Sequence, residues 1–188
     1  RHLGAAHHAA DGVDALRRIT GDRLSFTRAP LRDSRRHTGR ERGKFPEDGA
    51  QGVCVDVGGD LYVAGCAPHP EGWRVIGGDA IGAEAVGTIR LAAGGVATSS
   101  RLRHPWSMDG RTVHHLIDPR SGRPASTGLA AVTVIAGTTW RAEVLAKAAF
   151  VGGIVEGSEL VIAAGATGLL VTDDGSVIEL PGLADYRA

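Results

Sequence analysis

The chain has 188 residues, 43% of them apolar and 22% charged, which suits one ordinary soluble domain or a large part of a bigger one and excludes the disordered, collagenous and membrane classes. Its formal net charge of zero excludes the strongly basic surface that a nonspecific nucleic-acid binder needs. The balance is uneven, because residues 1–48 hold 11 Lys/Arg against 7 Asp/Glu, so a basic arm precedes a mildly acidic body.

The start, RHLGAAHHAADG, lacks the apolar core of a signal peptide, and no run approaches the roughly 18 apolar residues of a membrane helix. A cytoplasmic location without a membrane segment is the expectation. In residues 9–20 Val13, Leu16 and Ile19 recur at helical spacing and predict a short amphipathic helix. Residues 28–49 are rich in Arg, Gly and Pro with almost no apolar periodicity, which reads as a solvated loop.

At Gln51 the texture turns to dense β patterning. Residues 53–57 (VCVDV) and 61–65 (LYVAG) predict two strands joined by a tight turn through Gly58, Gly59 and Asp60. Two glycines at a strand end let backbone amides approach a ligand, with the Asp60 carboxylate beside them, although a hairpin turn needs no ligand. Further strands are expected at residues 73–76, 88–92 and 94–100. The last ends in Thr98, Ser99 and Ser100, three hydroxyls that could meet phosphate oxygens or close a turn. Cys54 and Cys66 have neither disulfide-framework nor zinc-ligand spacing and are read as buried free thiols.

VHHLIDPRSGRPA, residues 113–125, is the densest cluster of polar chemistry. Pro119 forces Asp118 to be extended, and Gly122 permits a reversal around Arg120. If residues 113–117 form a strand, His114 and His115 point to opposite faces, so they cannot chelate one metal ion together. One histidine then faces the site, and the other meets solvent or a backbone carbonyl.

Residues 131–136 (AVTVIA) read as an apolar strand. TTWRAEVLAKAAFVGG then turns to helical spacing, with Val144, Leu145, Ala148, Ala149 and Val151 on the expected core face. Thr138 or Thr139 is expected to cap this helix, and Gly152-Gly153 to end it. Glu143 and Lys147 stand at i and i+4, a pair worth about 0.3–0.5 kcal/mol on an exposed face. GLLVT, a DDG turn at residues 173–175 and SVIEL predict a closing hairpin.

In this order VDVGGDLYVAG, WRVIGG, GGVATSS, GRTVHHLIDPRSGRPA and AVTVIAGTTWRAEVLAKAAFVGG resemble the FAD:protein FMN transferase family, also called the ApbE family. The resemblance covers residues 51–153 and extends toward the end, with HHLIDPRSGRP its most specific part. It implies an α+β fold, a mixed but largely antiparallel sheet with packed helices. Residues 1–50 would then be an atypical arm, residues 51–188 the flavin transferase core, and part of the family's N-terminal region would be lacking.

The resemblance also implies an enzyme that binds FAD and splits its diphosphate. Such an enzyme passes FMN to a threonine of an acceptor flavoprotein through a phosphoester bond, releases AMP and usually uses magnesium. Gly58, Gly59, Asp60, Thr98, Ser99 and Ser100 would contact FAD. His115 matches the histidine before the motif's aliphatic pair and would handle a proton or touch phosphate, while Asp118 matches the motif aspartate and would orient the turn or contact the ligand.

Two positions depart from the family pattern. Where the family carries an aspartate and, four residues on, a threonine that help hold magnesium, this chain has Glu143 and Lys147. Glu143 could still serve as a metal ligand if magnesium is retained. A protonated ammonium cannot ligate a metal, so Lys147 held by Glu143 would instead bring positive charge to the diphosphate itself. That substitution fits a metal-independent transferase or a noncatalytic flavin-binding relative. The unusual first 50 residues also admit a structural remnant that binds nothing.

Overall fold

The computed structural model describes residues 24–27, 51–77, 87–103 and 105–187, with backbone alone for residues 24–27, 76, 77 and 87. The helix expected at residues 9–20 and the loop expected at residues 28–49 lie outside these described residues. Thirteen strands are present among them. The first six are β1 (Leu24–Thr27), β2 (Gly52–Val57), β3 (Asp60–Gly65), β4 (Trp73–Gly77), β5 (Gly87–Leu91) and β6 (Gly94–Ser100). Four short ones follow: β7 (Trp106–Met108), β8 (Arg111–Val113), β9 (Ile117–Asp118) and β10 (Arg123–Pro124). The chain closes with β11 (Leu129–Ala136), helix α1 (Thr139–Ala163), β12 (Thr167–Thr172), β13 (Val177–Glu179) and a 3₁₀ turn at Leu183–Tyr186.

Seven strands form one sheet in the order β1-β2-β3-β6-β11-β12-β13, and every pairing in it is antiparallel. The fold is α+β, as the sequence resemblance implies. β11 is its centre. Its residues Leu129 to Ile135 are all buried because both faces are covered, which explains why LAAVTVIA runs apolar rather than alternating. On one face Val132, Val134 and Leu170 pack against Ala142, Ala146, Ala149 and Phe150 of α1. On the other, Val63, Ala131, Ile135 and Val171 pack against Trp73, Ile89 and Leu91 of the separate β4–β5 hairpin. No helix among the described residues is long and apolar enough to cross a membrane.

The predicted hairpins at Gly58-Gly59 and residues 173–175 form as expected. Gly58 (φ 65°) and Gly59 (φ 95°) take the left-handed backbone that a two-residue turn between β2 and β3 requires. β1, which pairs Leu24–Thr27 with Gly52–Val55 of β2, has no counterpart among the expected strands.

Helix α1 corrects three expectations. Gly153 breaks the helical backbone (φ 81°, ψ −172°), but the helix resumes beyond it and reaches Ala163. Val144 is 53% exposed, while the small residues Ala142, Ala146 and Ala149 face the core, because the helix lies too close to the sheet for larger side chains there. Thr138 occupies the N-cap position, yet its hydroxyl makes no cap hydrogen bond. The Thr139 hydroxyl instead donates to the Leu61 carbonyl at 3.1 Å, tying the helix start to β3. Cys54 and Cys66, expected to be buried, are half-buried free thiols.

Helix α1 lies very close to β6 at Gly95. A Cβ built there would stand 2.3 Å from the Thr139 nitrogen and 2.4 Å from its Cα, so only glycine fits beneath the first turn. Gly95→Ala is expected to destabilise the fold by about 1–3 kcal/mol. Gly137→Ala, whose added Cβ meets nothing within 4 Å, should stay within about 0.5 kcal/mol. Urea midpoints of both variants check this, and equal midpoints would refute the seating of the helix on β6.

Candidate functional site

The register between β3 and β6 sets Leu61 opposite Val96, which places Asp60 and the Gly58-Gly59 turn next to the Thr98–Ser100 end of β6. Helix α1 crosses this end of the sheet, and Glu143 and Lys147, one turn apart, reach over it from the helix face. Between them lies a cleft of about 210 Å³ lined by Gly58, Asp60, Thr98, Ser99, Ser100, Arg103, His115, Glu143 and Lys147. The volume is below the range of about 300–1,000 Å³ typical of whole small-molecule pockets, and it suits a group of diphosphate size. Four separate stretches of chain thus converge on one polar cleft.

The three hydroxyls of β6 are not equivalent. The Thr98 hydroxyl shares a 2.9 Å hydrogen bond with that of Thr133, on the face away from the helix. The Ser100 hydroxyl donates to the Ala130 carbonyl at 3.3 Å and accepts from the Leu102 N–H at 3.1 Å. Ser99 pairs with Val132, whose side chain packs under α1, so it lies on the helix face of β6. Its hydroxyl has no such commitment among the described residues, and it is the hydroxyl best placed to meet a ligand.

Residues 113–117 are not one strand. β8 ends at Val113 and β9 begins at Ile117, because His114 draws the backbone into a loop of its own. The Leu116 N–H donates to His114 Nδ1 at 3.3 Å, and His114 Nε2 lies 3.2 Å from the Ala125 carbonyl. These two contacts fix a neutral ring that accepts at Nδ1 and donates from Nε2. His114 is buried and stands edge-on to Phe150, with ring centres 5.8 Å apart. Burial, with smaller repulsion from Arg101 and His115, holds its pKa below the ordinary imidazole value despite the Ala125 carbonyl. His115, by contrast, is exposed and lines the cleft. His114 thus turns to a backbone carbonyl and His115 to the cleft, and a loop rather than a strand separates them.

Asp118 lies away from the cleft lining. Its Oδ1 accepts the Arg120 backbone N–H at 2.9 Å and its carbonyl accepts the Gly122 N–H at 2.9 Å, closing the β9–β10 turn. The Arg120 N–H is the main reason its carboxyl titrates below the usual range. Gly59 is not in the lining either, but it has a second role besides its turn. A Cβ there would come 2.9 Å from Arg103 Nη1, so the guanidinium lies directly over the turn. Arg103 Nη1 also donates toward the Gly58 carbonyl at 3.5 Å. Arg103 escaped the sequence reading, since it falls outside every quoted motif and only the β2–β3 turn brings it in.

Lys147 and Glu143 form an ion pair through Nζ and Oε1. Asp60 sits nearby, and burial followed by the Glu143 carboxylate raises its pKa against the opposing pull of Lys147. A magnesium ion asks for a near-octahedral shell of oxygens. Here one of the two adjacent carboxylates already holds an ammonium that has no lone pair to offer. Among the described residues no three His, Cys, Asp or Glu side chains converge as a ligand set. This donor set does not fit magnesium.

Fold and cleft together define a class: an antiparallel α+β protein with a small polar cleft beneath one helix. A model of the ApbE family matches residues 43–169, more than half of the chain. The FAD:protein FMN transferase of Salmonella typhimurium is 30% identical over 131 residues, 69% of this chain and 37% of that protein. Among solved structures, the ApbE protein of Thermotoga maritima superposes with a TM-score of 0.65 at 29% identity, covering 72% of this chain and 44% of that one. The Pseudomonas stutzeri flavinyl transferase ApbE, in its apo form, gives 0.61 at 31% identity, with 73% and 44% covered. The chain belongs to the ApbE family, and it spans less than half the length of these relatives.

Because folded His114 resists protonation and the unfolded chain does not, stability should fall as the pH drops through about 6.5 and level off below the lowered pKa. His114→Asn should flatten that decline. Urea midpoints of both proteins between about pH 8 and pH 5 test it, and identical slopes would overturn the neutral, ring-bonded His114.

Proposed function

We propose that the chain is a flavin transferase that takes FAD as donor and moves FMN to a threonine hydroxyl of an acceptor flavoprotein, releasing AMP. The observation that carries this reading is the convergence of Gly58, Asp60, Ser99, Arg103, His115 and Lys147 on one diphosphate-sized cleft in a chain of this family. The relatives named FAD:protein FMN transferase support the same donor and the same transferred group.

In this reading the FAD diphosphate enters the cleft, with Ser99 donating from the floor and the cations neutralising its oxygens. His115 accepts the proton of the incoming threonine. A bond then forms between the threonine oxygen and the FMN phosphorus while the phosphorus–oxygen bond to AMP breaks, and AMP leaves with the electron pair. Asp118 acts at a distance by fixing the turn after β9, a strand that begins two residues after His115, and the turn carries Pro119 and Arg120 beside α1. Metal enters no step, since Glu143 and Lys147 do not make a magnesium site.

Incubation with FAD and an acceptor carrying the target threonine should add the mass of FMN to the acceptor and release AMP in equal amount. His115→Ala should slow transfer by about 10²–10⁴-fold, with FAD binding little changed. Bound FAD without AMP release or an acceptor mass gain would refute transfer and favour the noncatalytic flavin-binding alternative.

A further inference from the structure

We propose that Lys147 and Arg103 form a two-cation clamp for the donor's diphosphate, so that this cleft needs no divalent metal ion. The inference deepens the flavin transferase reading and rests on it for the identity of the donor. Its basis is the placement of the two cations. Both line the same 210 Å³ cleft, but they arrive from separate elements. Lys147 comes from the third turn of α1, and Arg103 from the connection after β6, where it lies across the Gly58-Gly59 turn.

The geometry at Gly59 carries the most weight. Its positive φ already calls for glycine, yet the residue also leaves room for the guanidinium against the turn, since a Cβ would stand 2.9 Å from Nη1. The glycine pair therefore positions a cation as well as turning the chain. A guanidinium offers paired, planar N–H donors that match two phosphate oxygens, and an ammonium acts as a compact point charge.

Lys147 is held rather than consumed by its partner. Its side chain remains 51% exposed, against 31% for Glu143, so the ammonium can turn to a phosphate while Glu143 limits where it goes. A divalent ion in the same place would have to strip Glu143 of its ammonium and then sit beside that like charge. The cation of the cleft is thus supplied by the chain. Positive charge near the transferring phosphorus stabilises the charge that develops there during transfer, the service a metal ion otherwise performs.

Calorimetric titration with FAD, and separately with inorganic pyrophosphate, in the presence of EDTA and then of magnesium tests the clamp. Both ligands should bind equally well in either condition. Lys147→Met and Arg103→Met should each weaken both by roughly 10- to 100-fold, and the double variant Glu143→Asp/Lys147→Thr should acquire a magnesium requirement. Thermal unfolding of each variant checks that its fold is kept, and the unsubstituted protein in EDTA decides the question even if a variant fails to fold. Binding that appears only with magnesium would overturn the clamp and leave the flavin transferase reading standing. Pyrophosphate binding in EDTA without FAD binding would support the clamp and overturn the flavin reading. If neither ligand binds in either condition, both fall.

Discussion

The seating of helix α1 on β6 at Gly95 is the contact on which the rest of the structure depends. Helix and sheet meet there backbone to backbone, closer than any side chain allows. Two further features follow from that approach. Small residues, Ala142, Ala146 and Ala149, must line the inner face of the helix. The helix must also start where the Thr139 hydroxyl can reach the Leu61 carbonyl, which locks its rotation relative to β3. Once the rotation is fixed, Glu143 and Lys147 can only emerge over the turn between β2 and β3. A close contact in the core thus sets the position of charged groups at the surface.

The charges in the cleft are nearly balanced without a ligand. Lys147 and Arg103 face Asp60 and Glu143, and the crowding of the two carboxylates is what raises the Asp60 pKa after burial. In the proposed reaction an arriving diphosphate would exchange one set of partners for another, so it need not enter a field of uncompensated positive charge. Such an exchange costs less than desolvating an unpaired cation, because Lys147 passes from one anionic partner to another. His114 belongs to the same economy in a different way. By staying neutral between Leu116 and Ala125, it holds the loop that presents His115 without adding a charge of its own.

Much of this was legible in the sequence because the signals are local. Alternating apolar residues around Gly58-Gly59 and the DDG turn identify hairpins, and an unbroken apolar run identifies a central strand. The polar residues that line the cleft stand out in the sequence mainly through the order of their motifs, not through any one of them. What was missed depends on contacts between distant segments. Bulky Val144 looks like core in the sequence, whereas the proximity imposed by Gly95 favours alanine on the inner face of α1. Gly152-Gly153 looked like a helix end because two glycines usually stop one, yet Gly157 folds against the Ala149 carbonyl and lets a second segment continue. Arg103 lies in no motif, and its contact with the β2–β3 turn brings it to the cleft. The short strand at Leu24–Thr27 follows a polar stretch and carries too few residues to stand out.

The position of a bound diphosphate is the feature from which the account derives both binding and transfer. The most direct measurement is a crystal structure of the protein with FAD, grown in EDTA. The account predicts diphosphate oxygens within hydrogen-bonding distance of Lys147 Nζ, the Arg103 guanidinium and Ser99 Oγ, with His115 facing the FMN phosphorus. FAD bound elsewhere on the molecule, or in this cleft with its diphosphate turned away from both cations, would contradict it.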